Sequence, residues 1–188
     1  MLIGYTLSAY DNDSYMCSSC DRVLDDMPGL SVCSTCSWRT DFAYTNPAFK
    51  IKRKKYDISY TYDGALIASE RFRDICHANG YDGLEFRDLP KSSGWFHLHV
   101  HAVREFDAVR RRTRFENLCD TCGFYESVVG ATPSFLVDSS PLLDGFCRSD
   151  LLFASRNEKH PLIFVGVDTL NTLKESGITG LCPDKIES

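Results

Sequence analysis

Leu162-Ile163-Phe164-Val165-Gly166, then a helix-like stretch over 168–176, then Gly177-Ile178-Thr179-Gly180-Leu181, decides how this chain is read. A short apolar run bounded by glycine reads as a buried strand, and the segment after it has helical spacing. Gly177 suits a helix C-terminus, where a left-handed residue is needed. The same plan occurs earlier. Leu66-Ile67-Ala68-Ser69 leads into a helix-like stretch from Glu70 to Asn79, which ends in Gly80-Tyr81-Asp82-Gly83-Leu84. Residues 65–89 and 161–186 therefore form a candidate internal repeat of one strand–helix–strand unit.

Working outward, Tyr56-Asp57-Ile58-Ser59-Tyr60-Thr61-Tyr62 alternates as a strand does and stops at the turn Asp63-Gly64. Between the two copies lies Gly94-Trp95-Phe96-His97-Leu98-His99-Val100-His101-Ala102, a second alternating strand. His97, His99 and His101 share one face and Phe96, Leu98 and Val100 the other. The expected state of the histidine face is exposure to solvent. The expected class is α+β: a mixed-sheet core domain over 46–188, preceded by a zinc-ribbon-like hairpin head over 1–45. The boundary falls near Asn46-Pro47.

The head carries the strongest chemical signal. Cys17-Ser18-Ser19-Cys20 is followed, after twelve residues, by Cys33-Ser34-Thr35-Cys36, with Met27-Pro28-Gly29 as the turn between the arms. A Cys-x-x-Cys turn puts two thiolates on one tight knuckle, and two knuckles complete a tetrahedral zinc site. The expected metal set is Cys17, Cys20, Cys33 and Cys36, holding one Zn2+. Four protein ligands leave no open position for water, so such an ion contributes folding energy rather than catalysis. A third pair, Cys119-Asp120-Thr121-Cys122, is half of a second site or an alternative partner for one N-terminal knuckle. Cys147, Cys182 and the three strand histidines are the other candidates for completing it, and Cys76 reads as core.

The chain has 188 residues, of which 43% are hydrophobic and 25% charged, which is ordinary for a folded domain and excludes disorder. No apolar run reaches the roughly 20 residues of a membrane span. The opening residues lack the basic and apolar regions of a secretory signal. Nine cysteines, six of them in Cys-x-x-Cys pairs, point to metal in a reducing compartment rather than to disulfides, so the expected location is the cytoplasm. The net charge of −5, with six aspartates against two arginines in residues 1–45, disfavours nucleic acid as the partner. The basic runs Lys50–Lys55 and Arg110–Arg114 keep a zinc-ribbon nucleic-acid-binding or regulatory protein as the alternative. A metallo-hydrolase built on His97, His99 and Asp107 is a third reading, but no catalytic residues are assigned.

Cys119-Asp120-Thr121-Cys122-Gly123, Pro141-Leu142-Leu143-Asp144-Gly145-Phe146-Cys147 and the closing 162–181 unit, taken with the Cys17/Cys20 knuckle, resemble the double-CXXCG motif proteins. This is a bacterial family whose members include immunity proteins of contact-exchanged toxins. Here the first motif reads Cys-Ser-Ser-Cys-Asp, without the glycine, and Cys33/Cys36 is an additional pair. In a member with two pairs, the metal would join the first and last motifs across the fold. The resemblance implies a non-catalytic, zinc-stabilised immunity protein that binds and neutralises a cognate toxin, with the acidic residues Asp21, Asp25 and Asp26 facing a basic partner.

Overall fold

In chain order, the described residues (1–19, 22–25 and 27–188 of a computed structural model) begin with β1 (Leu2–Ala9), β2 (Ser18–Ser19), β3 (Arg22–Val23) and β4 (Ile58–Tyr60). Next come β5 (Leu66–Ser69), α1 (Glu70–Ala78), β6 (Leu84–Asp88), β7 (Trp95–Val100), β8 (Val103–Arg104) and α2 (Ala108–Arg111). The chain closes with β9 (Arg114–Leu118), β10 (Tyr125–Val129), β11 (Phe146–Ser155), β12 (His160–Val165), α3 (Val167–Glu175) and β13 (Leu181–Glu187). The class is α+β. One large sheet has the order β13-β1-β12-β11-β10-β9, with β8 parallel to β11, and a second has the order β4-β5-β7-β6.

The two strand–helix–strand units have one topology. β5 and β6 both run antiparallel to β7, which lies between them. β12 and β13 both run antiparallel to β1, which again lies between them. Each helix ends in the same way. Gly80 N donates to His77 O and Tyr81 N to Cys76 O; Gly177 N donates to Lys174 O and Ile178 N to Leu173 O. These are paired Schellman caps, and they require the positive φ that Gly80 (65°) and Gly177 (67°) adopt. Ser69 caps α1 by accepting from Phe72 N. Phe72 and Cys76 of α1 and Leu170 and Leu173 of α3 meet in one core with Leu7, Ile58, Leu98 and Val165, so Cys76 is core as expected.

Asp57 ties the units together. Its Oδ1 accepts from Ser69 Oγ at 2.9 Å, and its Oδ2 accepts from Thr179 N at 3.0 Å and Thr179 Oγ1 at 2.8 Å. Burial pushes this carboxyl's pKa up, but the hydrogen bonds from Thr179 and Ser69, with Arg71 nearby, outweigh it and hold the pKa below the ordinary value.

The N-terminal residues do not form a separate head over 1–45. β1 lies inside the large sheet, between β13 and β12, with Ile3 and Leu7 buried. Burial along Leu2–Ala9 falls on Ile3–Gly4 and Thr6–Leu7, so the strand is covered on both faces, Ile3 in one core cluster and Leu7 in another. The long irregular stretch after it packs on the second sheet, where Met16, Cys17, Phe49 and Ile51 form a core with Ala65, Ile67 and Leu89. That packing corrects the expected solvated histidine face at His97, while His99 is half-buried and His101 is exposed as expected. His97 pairs with Ile67 across β5 and β7 and shares its covered face. His97 is buried, with Nδ1 2.8 Å from Thr45 Oγ1. Among the described residues no helix is long and apolar enough to cross a membrane.

Candidate metal centre

Cys33, Cys36, Cys119 and Cys122 bring their four Sγ atoms within 4.8 Å of one another. Cys33 Sγ lies 3.9 Å from Cys119 Sγ and Cys36 Sγ 3.8 Å from Cys122 Sγ. A tetrahedron with metal–sulfur bonds of ~2.3 Å has sulfur–sulfur edges of about 3.8 Å. Two edges match that value and all four sulfurs lie close enough that the quartet could hold a metal ion.

The two halves are built alike. In the first, the bridge Val32↔Arg39 flanks a loop in which Cys33 N donates to Trp38 O at 2.9 Å and Ser37 N to Cys33 O at 2.9 Å. In the second, the pair Leu118↔Tyr125 of the β9–β10 hairpin flanks the corresponding loop. There Cys119 N donates to Phe124 O at 2.9 Å and Gly123 N to Cys119 O at 2.8 Å. The residue after each second cysteine is left-handed: Ser37 has φ 62° and Gly123 has φ 73°. Thr35 Oγ1 and Thr121 Oγ1 meet 2.8 Å apart where the halves join.

The thiols are prepared unequally, and both halves do it the same way. Backbone N–H groups of Cys36 and Thr35 aim at Cys33 and bring its pKa down to about 6. The N–H groups of Cys122 and Thr121 lower that of Cys119. Burial instead pushes Cys36 up to about 12 and raises Cys122. Each knuckle thus pairs one thiol that gives up its proton more readily with one that holds it more tightly.

The expected set of Cys17, Cys20, Cys33 and Cys36 is not the set that the fold assembles. Cys20 lies outside the described residues, as do Asp21 and Asp26. Cys17 is fully buried, its Sγ facing Tyr44 O at 3.8 Å, and burial pushes its pKa up to about 12. The N–H groups of Met16, Cys17 and Ser18 are taken by the carboxylate of Asp63 at 2.7, 2.8 and 3.1 Å. Asp63 also faces buried Arg39, whose Nη1 is 3.9 Å from Oδ2 and whose Nη2 donates to Asp63 O at 2.6 Å. A carboxylate organises the first cysteine turn. The partners of Cys33/Cys36 come instead from the β9–β10 hairpin, the alternative ligand source that the sequence also offered. Cys147 and Cys182 are not part of the quartet.

The signal for this pairing was present. Cys33-Ser-Thr-Cys36-Ser-Trp38 and Cys119-Asp-Thr-Cys122-Gly-Phe124 share a threonine before the second cysteine and an aromatic residue two positions after it. Cys17-Ser-Ser-Cys20-Asp-Arg22 has neither.

A cleft of about 390 Å³ is lined by Phe42, Phe124, His97, His99, Arg87 and Arg148 among others. Burial, with Arg87 nearby, pushes the pKa of His99 down to about 4, and burial holds that of His97 well below its ordinary value. Both imidazoles are neutral at physiological pH. Among the described residues only the cysteine quartet groups three or more metal-ligating side chains. The chain matches no protein-family model and no curated protein.

Proposed function

We propose that the quartet holds one Zn2+ as a permanent clasp, and that the chain is a non-catalytic binding protein of the immunity type, which neutralises a cognate bacterial toxin. The observation that carries the metal reading is the clustering of four sulfurs within 4.8 Å of one another, drawn from two loops 86 residues apart. All four coordination positions are cysteine, so the ion has no place for water or substrate and serves to hold the loops together. The immunity role rests on the resemblance in motif order. Such a role needs no catalysis, since inhibition requires only a complementary surface around a few buried anchors.

Two measurements test the parts separately. Elemental analysis of protein purified under reducing conditions should give one zinc per chain; a stoichiometry near zero removes the clasp. Co-expression with the toxin encoded beside this gene should restore growth of a sensitive host. Continued death with soluble, metal-loaded protein present removes the immunity reading and leaves the clasp standing.

A further inference from the structure

The Cys36 and Cys122 knuckles each end in an aromatic residue, and between those residues sits a lysine that neither the fold nor the sequence motif accounts for. Lys159 is 1% exposed. Its Nζ lies 5.0 Å from the ring centre of Phe124, 5.4 Å from that of Phe42 and 5.6 Å from that of Trp38, and it donates to Tyr125 O at 2.5 Å. Trp38 and Phe124 occupy equivalent positions in the two knuckles, so the cage is assembled only when the loops come together. The rings offer their negative faces to the ammonium, which softens the loss of water without replacing a counter-ion. Among the described residues no carboxylate pairs with Lys159.

Burial lowers the pKa of Lys159, with Arg39 adding to the lowering, while the sulfurs of Cys122, Cys36 and Cys119 oppose it. Four thiolates on a divalent cation carry a net charge of −2, opposite in sign to a lysine caged by Trp38 and Phe124, each two residues beyond a quartet cysteine. A buried cation with no anion is costly, and an uncompensated dianion is costly too. Each removes the cost of the other.

We infer that Lys159, held in the Trp38–Phe42–Phe124 cage, is the built-in counter-ion of a dianionic metal–tetrathiolate centre and sets that centre's affinity for its ion. This rests on the metal reading proposed above. Lys159 acts through the field it exerts on the sulfurs rather than as a ligand.

The test compares the zinc dissociation constant of the unmodified chain with that of Lys159→Gln, measured by competition with a chromophoric chelator at fixed pH and salt. Glutamine keeps a donor for Tyr125 O and loses the charge. A unit charge several ångströms away at an effective dielectric constant near 20 should weaken binding on the order of tenfold or more. Lys159→Arg should recover most of the loss, and half-loading of Lys159→Gln should move to higher pH. Co2+ substitution should give the same tetrahedral thiolate spectrum in every variant, because geometry is unchanged. Should Lys159→Gln not fold without metal, the rate of zinc release from metal-loaded Lys159→Gln and Lys159→Met gives the same comparison. Binding or release within twofold of the unmodified chain overturns the inference while leaving the zinc site intact. An unmodified chain that takes up no zinc overturns both.

Discussion

Thr35 and Thr121 donate and accept through hydroxyl oxygens 2.8 Å apart, joining two cysteine loops that are 86 residues apart in the chain. Each threonine stands directly before the second cysteine of its pair, so this contact marks the axis about which the two knuckles mirror each other. A cross-link at such a separation acts on the unfolded chain as much as on the folded one.

Removing the metal should therefore be expensive. Closing a loop of 86 residues corresponds to about 4–5 kcal/mol of chain entropy by the cross-link relation used for disulfides. Chelation under reducing conditions should lower the thermal midpoint markedly, and Cys36→Ser or Cys119→Ser should do the same while abolishing stoichiometric zinc. Cys17→Ser should leave metal content unchanged and cost only core burial. Loss of zinc from Cys17→Ser would mean that the quartet is not the site.

Ser37 takes a left-handed conformation that Gly123 adopts at the equivalent position, with φ 62° and 73°. A side chain there costs about 1–2 kcal/mol against glycine, partly offset by glycine's greater freedom when unfolded. Ser37→Gly should raise stability by up to about 1 kcal/mol in denaturant unfolding of the metal-loaded protein. Gly123→Ala should lower it by about 1–2 kcal/mol. A destabilised Ser37→Gly would show that the hydroxyl contributes something the backbone argument omits.

Asp57 should confer sensitivity to acid. Its pKa is lower in the folded chain than the ordinary value of 3.8. A group shifted this way stabilises the fold fully above its unfolded pKa, and that contribution is lost as pH falls through the folded one. The loss belongs below about pH 4. Asp57→Asn should cost about 1–3 kcal/mol at neutral pH, where it breaks the bonds to Ser69 and Thr179. It should also flatten the fall in stability below pH 4, as urea titration across that range would reveal.

Asp63 accepts three backbone N–H groups at 2.7–3.1 Å and balances buried Arg39. Asp63→Ala leaves that guanidinium uncompensated, and a broken buried pair costs about 3–5 kcal/mol. Arg39 directly follows Trp38 of the first knuckle, so zinc affinity should fall together with stability. Unchanged affinity in a destabilised Asp63→Ala would separate this staple from the metal centre.

Local patterns carried much of this fold. The units around Gly80 and Gly177 were legible because a Schellman cap needs a glycine at a set distance from a helical face, and both helices close that way. The alternating strand Trp95–Val100 was legible for the same kind of reason. What covers each strand was not. His97 is buried because Ile67, its neighbour across β5 and β7, lies under the irregular stretch that carries Met16 and Phe49, and no local period encodes that packing.

The cysteines divide in the same way. Sequence alone determined that knuckles exist, since two thiols on one tight turn is a property of four consecutive residues. It also determined the α+β class, through the periodicities of strands and helices. Only the tertiary structure decided which knuckles face each other, that Cys17 turns toward an aspartate staple, and that Lys159 sits between Trp38 and Phe124. Four sulfurs make one site only when their separation in space, not along the chain, is that of a tetrahedron. That separation is set by the β9–β10 hairpin and the loop around Cys33, brought together across 86 residues of chain.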